Sequence, residues 1–374
     1  MTDQEKLSLL ALQLVPGVGD ALLKQLIAYC GSAEEVFKKP KGKLLKIPGI
    51  GEVTAEAIQQ EKSLTEAEKV VRKAEKENVE LLFFTDKRYP DRLKLVEDAP
   101  AMLYWKGGAN LNHPKTIAIV GTRQATAYGK DVTAQIIEAL IPHQPLVISW
   151  LAYGIDIEAH KQALRHHLPT IGVMGSGIDV VYPAAHKETA RKMLEAGGLL
   201  TENPFGSKPD AHNFPARNRI IAGLSDALII VEAAETGGAL ITADIANSYN
   251  KDVFAVPGGI HQAFSAGCNK LIKTNKAHLF TSVKDLEYIM NWQIDTPPQQ
   301  PAFTNPALWP ELSTDEQVVL TVMNQKADAI QIDELAWKTG MPPGALASLL
   351  LALEFKNVVQ SLPGKLYRLA RGAR

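Results

Sequence analysis

The stretch FPARNRIIAGLSDALIIVEAAETGGALITA, residues 214–243, decides how the chain is read. Arg217-Asn218-Arg219 opens a short helical pattern, and residues 227–231 form a continuous apolar run of strand length. Glu235-Thr236-Gly237-Gly238 then turns the chain into a second helical pattern. A buried strand that ends in a glycine turn and a helix start leaves backbone N–H groups unpaired at the turn, and such groups suit a phosphate. Two arginines just upstream suit a polyanion. The segment poses a choice between a small nucleotide and a nucleic-acid backbone.

Outward from this segment the same alternation recurs. Further candidate strands lie at 81–84, 101–105, 116–121, 146–151, 170–175, 199–202 and 253–257. Helical patterns lie near 128–140, 155–166, 184–196, 239–249 and 268–274. Continuous apolar strands separated by helices predict an α/β fold with a doubly wound, mostly parallel, Rossmann-like sheet over 81–293. Ligands in such folds sit beyond the carboxyl ends of the strands.

Two other modules flank this one. Residues 1–80 read as helical and hold a repeated phrase, Val15-Pro16-Gly17-Val18-Gly19 and Ile47-Pro48-Gly49-Ile50-Gly51, each between helical patterns. Helix, Pro-Gly-x-Gly turn, helix is the pattern of a tandem helix-hairpin-helix. It serves either to hold a phosphate at the helix start, with Lys24, Lys43, Lys46 and Lys62 adding charge, or to make protein contacts. Residues 294–312 are rich in proline and read as an extended linker. Residues 313–374 then predict a winged helix: helices at 316–325, 332–339 and 343–355, and a hairpin from 358–362 and 366–369. Its third helix, GALASLLLALEFKN, lacks groove-reading side chains, and the basic groups Lys365, Arg368, Arg371 and Arg374 cluster at the end instead.

Composition narrows the classes. The chain has 374 residues, 46% hydrophobic and 22% charged, which fits a globular protein of two or three domains. No apolar run is long enough to span a membrane, and the polar start MTDQEKLSLL is unlike a signal peptide, so a cytoplasmic location is expected. The two cysteines, Cys30 and Cys268, are isolated and supply neither a disulfide framework nor a zinc knuckle. A net charge of −1 removes the prior for a wholly basic nucleic-acid binder, but local charge placement matters more than the total.

The chemistry is that of binding. The strand at 116–121 ends in Gly121-Thr122-Arg123, where a dinucleotide fold would carry G-x-G-x-x-G. An arginine there intrudes on a pyrophosphate but suits a backbone phosphate held by the Thr122 hydroxyl and the Arg123 guanidinium. No Walker-type phosphate loop occurs. His160 reads as a structural histidine, Asp156 and Glu158 as supporting or capping groups, and no nucleophile–base pair, metal set or cofactor site is expected. Further glycine turns, Gly175-Ser176-Gly177 and Pro257-Gly258-Gly259, end two other strands. With Arg123, Lys187, Arg217, Arg219 and Lys270 distributed among these turns, the strand ends describe a positive groove that tracks a single strand better than a small ligand.

These residues carry a family resemblance. IAIVGTR, Leu151-Ala152-Tyr153-Gly154-Ile155-Asp156 with Ala159-His160, GSGIDVVYP, FPARNRIIAGLS, VEAAETGGALITA, VFAVPGG and SAGCNKLI occur in the order found in the DprA/Smf family of DNA processing proteins. The flanking modules complete that family's three-part layout. The resemblance implies a non-enzymatic recombination mediator that binds single-stranded DNA through the Rossmann-like domain. It also implies dimerisation through that domain and loading of the RecA recombinase, in natural transformation or general recombination. It places DNA-binding roles on Arg123, Lys187, Arg217 and Arg219; with Gly121, Thr122, Gly175, Ser176, Gly177, Asn218, Gly237, Gly238 and Lys270 they make up the expected site. Trp150 and Tyr153 depart from the family pattern, which has Gly and Arg there, and either offer stacking faces or fill core space. Ile272-Lys273-Thr274-Asn275-Lys276 stands where a Gly-Ala turn is expected. The rival reading is a phosphoribohydrolase resembling the LOG family, but Ile260-His261 follows Pro257-Gly258-Gly259 and the catalytic glutamate of that motif is missing.

Overall fold

The computed structural model describes residues 2–60, 62–209, 214–292, 312–324, 329–356, 358–362 and 365–369. The expected linker at 294–312 falls almost wholly outside these residues, as do Pro363, Gly364, Arg371 and Arg374. The chain divides into two compact units, Met1–Ile294 and Asp295–Arg374.

The first unit opens with helices Asp3–Gln13, Asp20–Cys30, Ala33–Lys38, Lys41–Leu44, Glu52–Gln59 and Lys62–Lys76. Both repeated phrases are turns: Gly17 (φ +84°) and Gly49 (φ +83°) take the left-handed backbone that glycine tolerates, and Gly19 and Gly51 cap the helices that follow. Leu9, Leu23, Leu26 and Ile58 pack in one buried cluster that continues without a break to Met102 and Tyr104 in the sheet. That shared core explains why the helices and the sheet form one unit.

Nine strands make the sheet: β1 (Glu80–Phe83), β2 (Met102–Gly107), β3 (Thr116–Val120), β4 (Leu146–Trp150), β5 (Thr170–Val173), β6 (Gly198–Thr201), β7 (Ala227–Ile230), β8 (Asp252–Ala255) and β9 (His278–Leu279). Their order is β1-β2-β6-β5-β4-β3-β7-β8-β9. From β6 to β9 every pairing is parallel, while β1 and β2 pair antiparallel at one edge. Side chains on successive strand residues face opposite ways. Ile117 and Ile119 therefore join the core under helices Ala127–Leu140 and Ile155–Arg165, and Ala118 and Val120 join the core under helices Phe214–Leu224 and Gly238–Ser248. Among the elements that went unforeseen are the short helix Asp91–Lys94, β9 and helix Val283–Met290. A two-residue strand has no readable period, and its residues are exposed on an edge. The unexpected sequence after Leu271 resolves simply: Asn275 (φ +54°) takes the left-handed position at the helix end, and Lys276 N donates to Leu271 O at 2.9 Å.

The second unit has helices Thr314–Asn324, Ile332–Thr339 and Pro343–Phe355 and a small sheet of Ile330–Gln331 (β10), Val359–Leu362 (β11) and Leu366–Leu369 (β12), in the order β10-β12-β11. Val319, Leu335, Leu346, Leu350 and Leu353 fill its core, and this is the expected winged-helix arrangement.

Candidate functional site

The chain leaves β3 for β4 on one side and returns by β7 on the other, so the topological switch point lies between β3 and β7. The turns after β3, β4 and β5 and the start of helix Phe214–Leu224 converge there. In the β3 turn, Thr122 N donates to Glu232 O at 2.7 Å and Gly121 N donates to Asp156 Oδ1 at 3.3 Å. The Glu232 carboxylate accepts from Thr126 N at 3.0 Å and Thr126 Oγ1 at 2.6 Å. Thr126 in turn caps helix Ala127–Leu140. Glu232 thus ties the end of β7 to both ends of the 121–126 loop and holds Arg123 at the rim, where it is exposed. Gly154 (φ +84°) completes the turn: a Cβ there would stand 2.0 Å from Thr122 O. Only glycine lets the β4 turn lie against the β3 turn.

Arg217 lies in the floor, 7% exposed. Its guanidinium is 4.8 Å from the centre of the Trp150 ring at the end of β4. On another side it rests on Gly175, whose Cβ, if present, would fall 0.9 Å from Arg217 Nη1. Burial first, and then repulsion from Arg123, push its pKa down to about 10, so it stays cationic at neutral pH. Beneath the two arginines Asp156 is buried, 3% exposed. Burial pushes its carboxyl up to about 8 against the opposing pull of Ser149, Gly121, Arg123 and Arg217. The Ser149 hydroxyl has a single proton and sits 2.6 Å from Ile119 O and 3.2 Å from Asp156 Oδ1. Its proton is shared between the carbonyl and the carboxyl.

The remaining expected site residues divide by placement. Lys187, at the start of helix Lys187–Ala196, is exposed and has no ion-pair partner among the described residues. Tyr153 is 49% exposed and packs edge-on against His186, the residue before Lys187, at 4.9 Å. Trp150 packs against the core and also backs Arg217, whereas Tyr153 shows a face beside His186. Gly237 and Gly238 are exposed, and a Cβ at either would meet nothing within 4 Å, so the turn is open. Lys270 is exposed on helix Ala266–Lys273, which follows β8, two strands from β3. Ser176 turns its hydroxyl inward to Val180 O at 2.5 Å, and Asn218 is buried. Arg219 points away from the groove into an acidic pair, with Nη2 3.1 Å from Asp20 Oδ2 and 2.5 Å from Glu202 Oε2. His160 is bonded on both ring nitrogens, to Thr170 Oγ1 at 2.7 Å and Trp150 O at 3.1 Å, and burial holds it down at about 4. It is a neutral structural group, as its sequence setting implies.

Glu232 was not among the expected site residues. The signal was present, an acid ending an apolar strand, but nothing in the sequence says that it reaches across to Thr126. Among the described residues no group of three or more His, Cys, Asp or Glu side chains is placed to hold a metal ion, and no helix is long and apolar enough to cross a membrane.

Residues 80–291 match the family described as DNA recombination-mediator protein A, residues 301–365 the DprA winged helix domain, and residues 9–61 the SAM-like helix-hairpin-helix tandem. Protein Smf of Synechocystis sp. is 36% identical over 292 residues, covering 76% of this chain and 73% of its own length. Protein Smf of Escherichia coli is 34% identical, with coverage of 76% and 75%. The crystal structure of DNA processing protein A from Streptococcus pneumoniae superposes with a TM-score of 0.66 at 30% identity, over 78% of this chain and 99% of that one. A structure of DNA processing protein A from Helicobacter pylori, described for its single-stranded DNA binding mode, matches at TM-score 0.52 and 27% identity over 57% of this chain and 97% of that one.

Proposed function

The chain belongs to the DprA/Smf family of DNA processing proteins, and on that premise we propose that it binds single-stranded DNA along the carboxyl ends of β3, β4 and β5. The observation that carries the reading is the pair of arginines at the switch point. Arg123 stands at the rim, and Arg217 is held in the floor by Trp150 and Gly175 above the buried Asp156. Such a site offers charge to a phosphate backbone and reads no base. Lys187, Tyr153 and the open Gly237-Gly238 turn extend it along a strand. In this reading residues 81–293 form the DNA-binding and dimerising domain, 1–80 and 313–374 are accessory modules, and 294–312 links them. The bound strand is protected and passed to RecA in the cytoplasm, in transformation or general recombination.

Titration of oligo-dT against salt tests the groove. Arg123→Ala is expected to bind about tenfold more weakly and to lower the salt slope by about 0.7, the share of one phosphate contact on a single strand. Binding indistinguishable from wild type in both respects removes Arg123 from the site. Incubation with AMP tests the rival hydrolase, which would release adenine.

A further inference from the structure

The tandem hairpins carry an acid where a phosphate would sit. Asp20 is the first residue of the helix after Gly17-Val18-Gly19, and Glu52 is the first after Gly49-Ile50-Gly51. A DNA phosphate at either helix start would face a carboxylate instead of bare N–H groups. Glu52 is paired with Lys41 at 2.9 Å. Asp20 is turned inward: Oδ1 accepts from Ala101 N at 2.9 Å and Gln13 Nε2 at 3.3 Å, and Oδ2 accepts from Arg219 Nη2. Arg219 also donates to Glu202 and, through Nη1, to Asp98 O. Lys24, one turn along the hairpin helix from Asp20, donates to Ala99 O at 2.7 Å. The same short stretch, 98–101, is thus gripped by Asp20, Arg219 and Lys24, and Tyr89 OH adds a bond at Pro100 O and Tyr249 OH one at Asp98.

Arg219 and Arg217 lie two residues apart on helix Phe214–Leu224, about 200° around the axis. One side of the helix faces the groove and the other faces the hairpin. We infer that the first hairpin is a bracket rather than a DNA contact: Asp20 and Glu202 grip Arg219, and Arg219 is a positioning residue that holds Arg217 in the groove. The inference rests on the groove reading above for its effect on DNA, but not for the bracket itself.

Amide hydrogen exchange and oligo-dT titration on the full chain test it with Asp20→Asn and Arg219→Gln, using Arg123→Ala as the groove reference. Asp20→Asn keeps shape and removes one charge. It is expected to exchange faster than wild type through 217–224 and to bind about fivefold more weakly at an unchanged salt slope. If Arg219 contacts phosphate instead, neutralising Asp20 releases its charge and Asp20→Asn binds more tightly, while Arg219→Gln lowers the slope by about 0.7. Either result overturns the positioning role, as does faster exchange with unchanged affinity. Unchanged exchange in Asp20→Asn overturns the bracket whatever happens to DNA. Should Arg219→Gln fail to fold, Asp20→Asn alone decides, because the two assignments give it opposite signs. Arg123→Ala binding like wild type would count against the groove and leave the exchange result standing.

Discussion

Arg217 and Arg219 share one helix, one charge and one tripeptide, yet the fold treats them oppositely. Arg217 lies against an indole ring and a glycine, with Arg123 as a neighbour of like charge and a buried acid, whose carboxyl burial pushes up, below. Arg219 lies among Asp20, Glu202 and the Asp98 carbonyl. The first arrangement sets a guanidinium against a ring, a glycine and a like charge; the second sets one between two carboxylates and a carbonyl. Neighbours, more than exposure, distinguish the two arginines, since both are largely buried.

The sharpest way to break this comparison is to move Arg217 without removing it. A Cβ at Gly175 collides only with the tip of the Arg217 side chain, which can swing aside, so Gly175→Ala should fold. Binding to oligo-dT should fall by about tenfold or more, the loss expected of a charged contact. Unchanged binding would show that the floor position of Arg217 is irrelevant.

A smaller effect is expected from pH. The Asp156 carboxyl is raised to about 8 in the folded protein, and a bound phosphate nearby favours its neutral form further. Binding is therefore coupled to a proton, and affinity should fall as pH rises through about 8, where the free protein loses that proton. Asp156→Asn, neutral throughout, should bind alike at pH 7 and lack the decline. If both proteins show the same profile, the pH effect belongs to other groups. The smallest change is expected at the exposed Lys187, where Lys187→Ala should weaken binding by about twofold to threefold, mostly at low salt. A larger loss there than in Gly175→Ala would shift the centre of the site from the floor towards Lys187.

Much of the fold was legible because its signals are local. Apolar runs such as Thr116–Val120 and Ala227–Ile230 are buried on both faces and read as strands wherever they occur, and the Pro-Gly turns announce their hairpins. The antiparallel edge of β1 and β2 and the short β9 were not legible, because pairing partners and edge strands leave little mark on a period. In the candidate site, Gly121-Thr122-Arg123 was legible as a strand end unfit for a dinucleotide. Glu232 was not, because its partner Thr126 lies more than a hundred residues away in sequence.

The Arg-Asn-Arg tripeptide marks the limit between the two kinds of knowledge. Sequence alone determined that two guanidinium groups stand near the start of a helix, at the carboxyl end of a parallel sheet. Tertiary structure decided the surroundings of each, by bringing Trp150 and Gly175 to one side of the helix and Asp20 and Glu202 to the other. The physical reason is that residue type sets a charge, while the neighbours around it are assembled from distant parts of the chain.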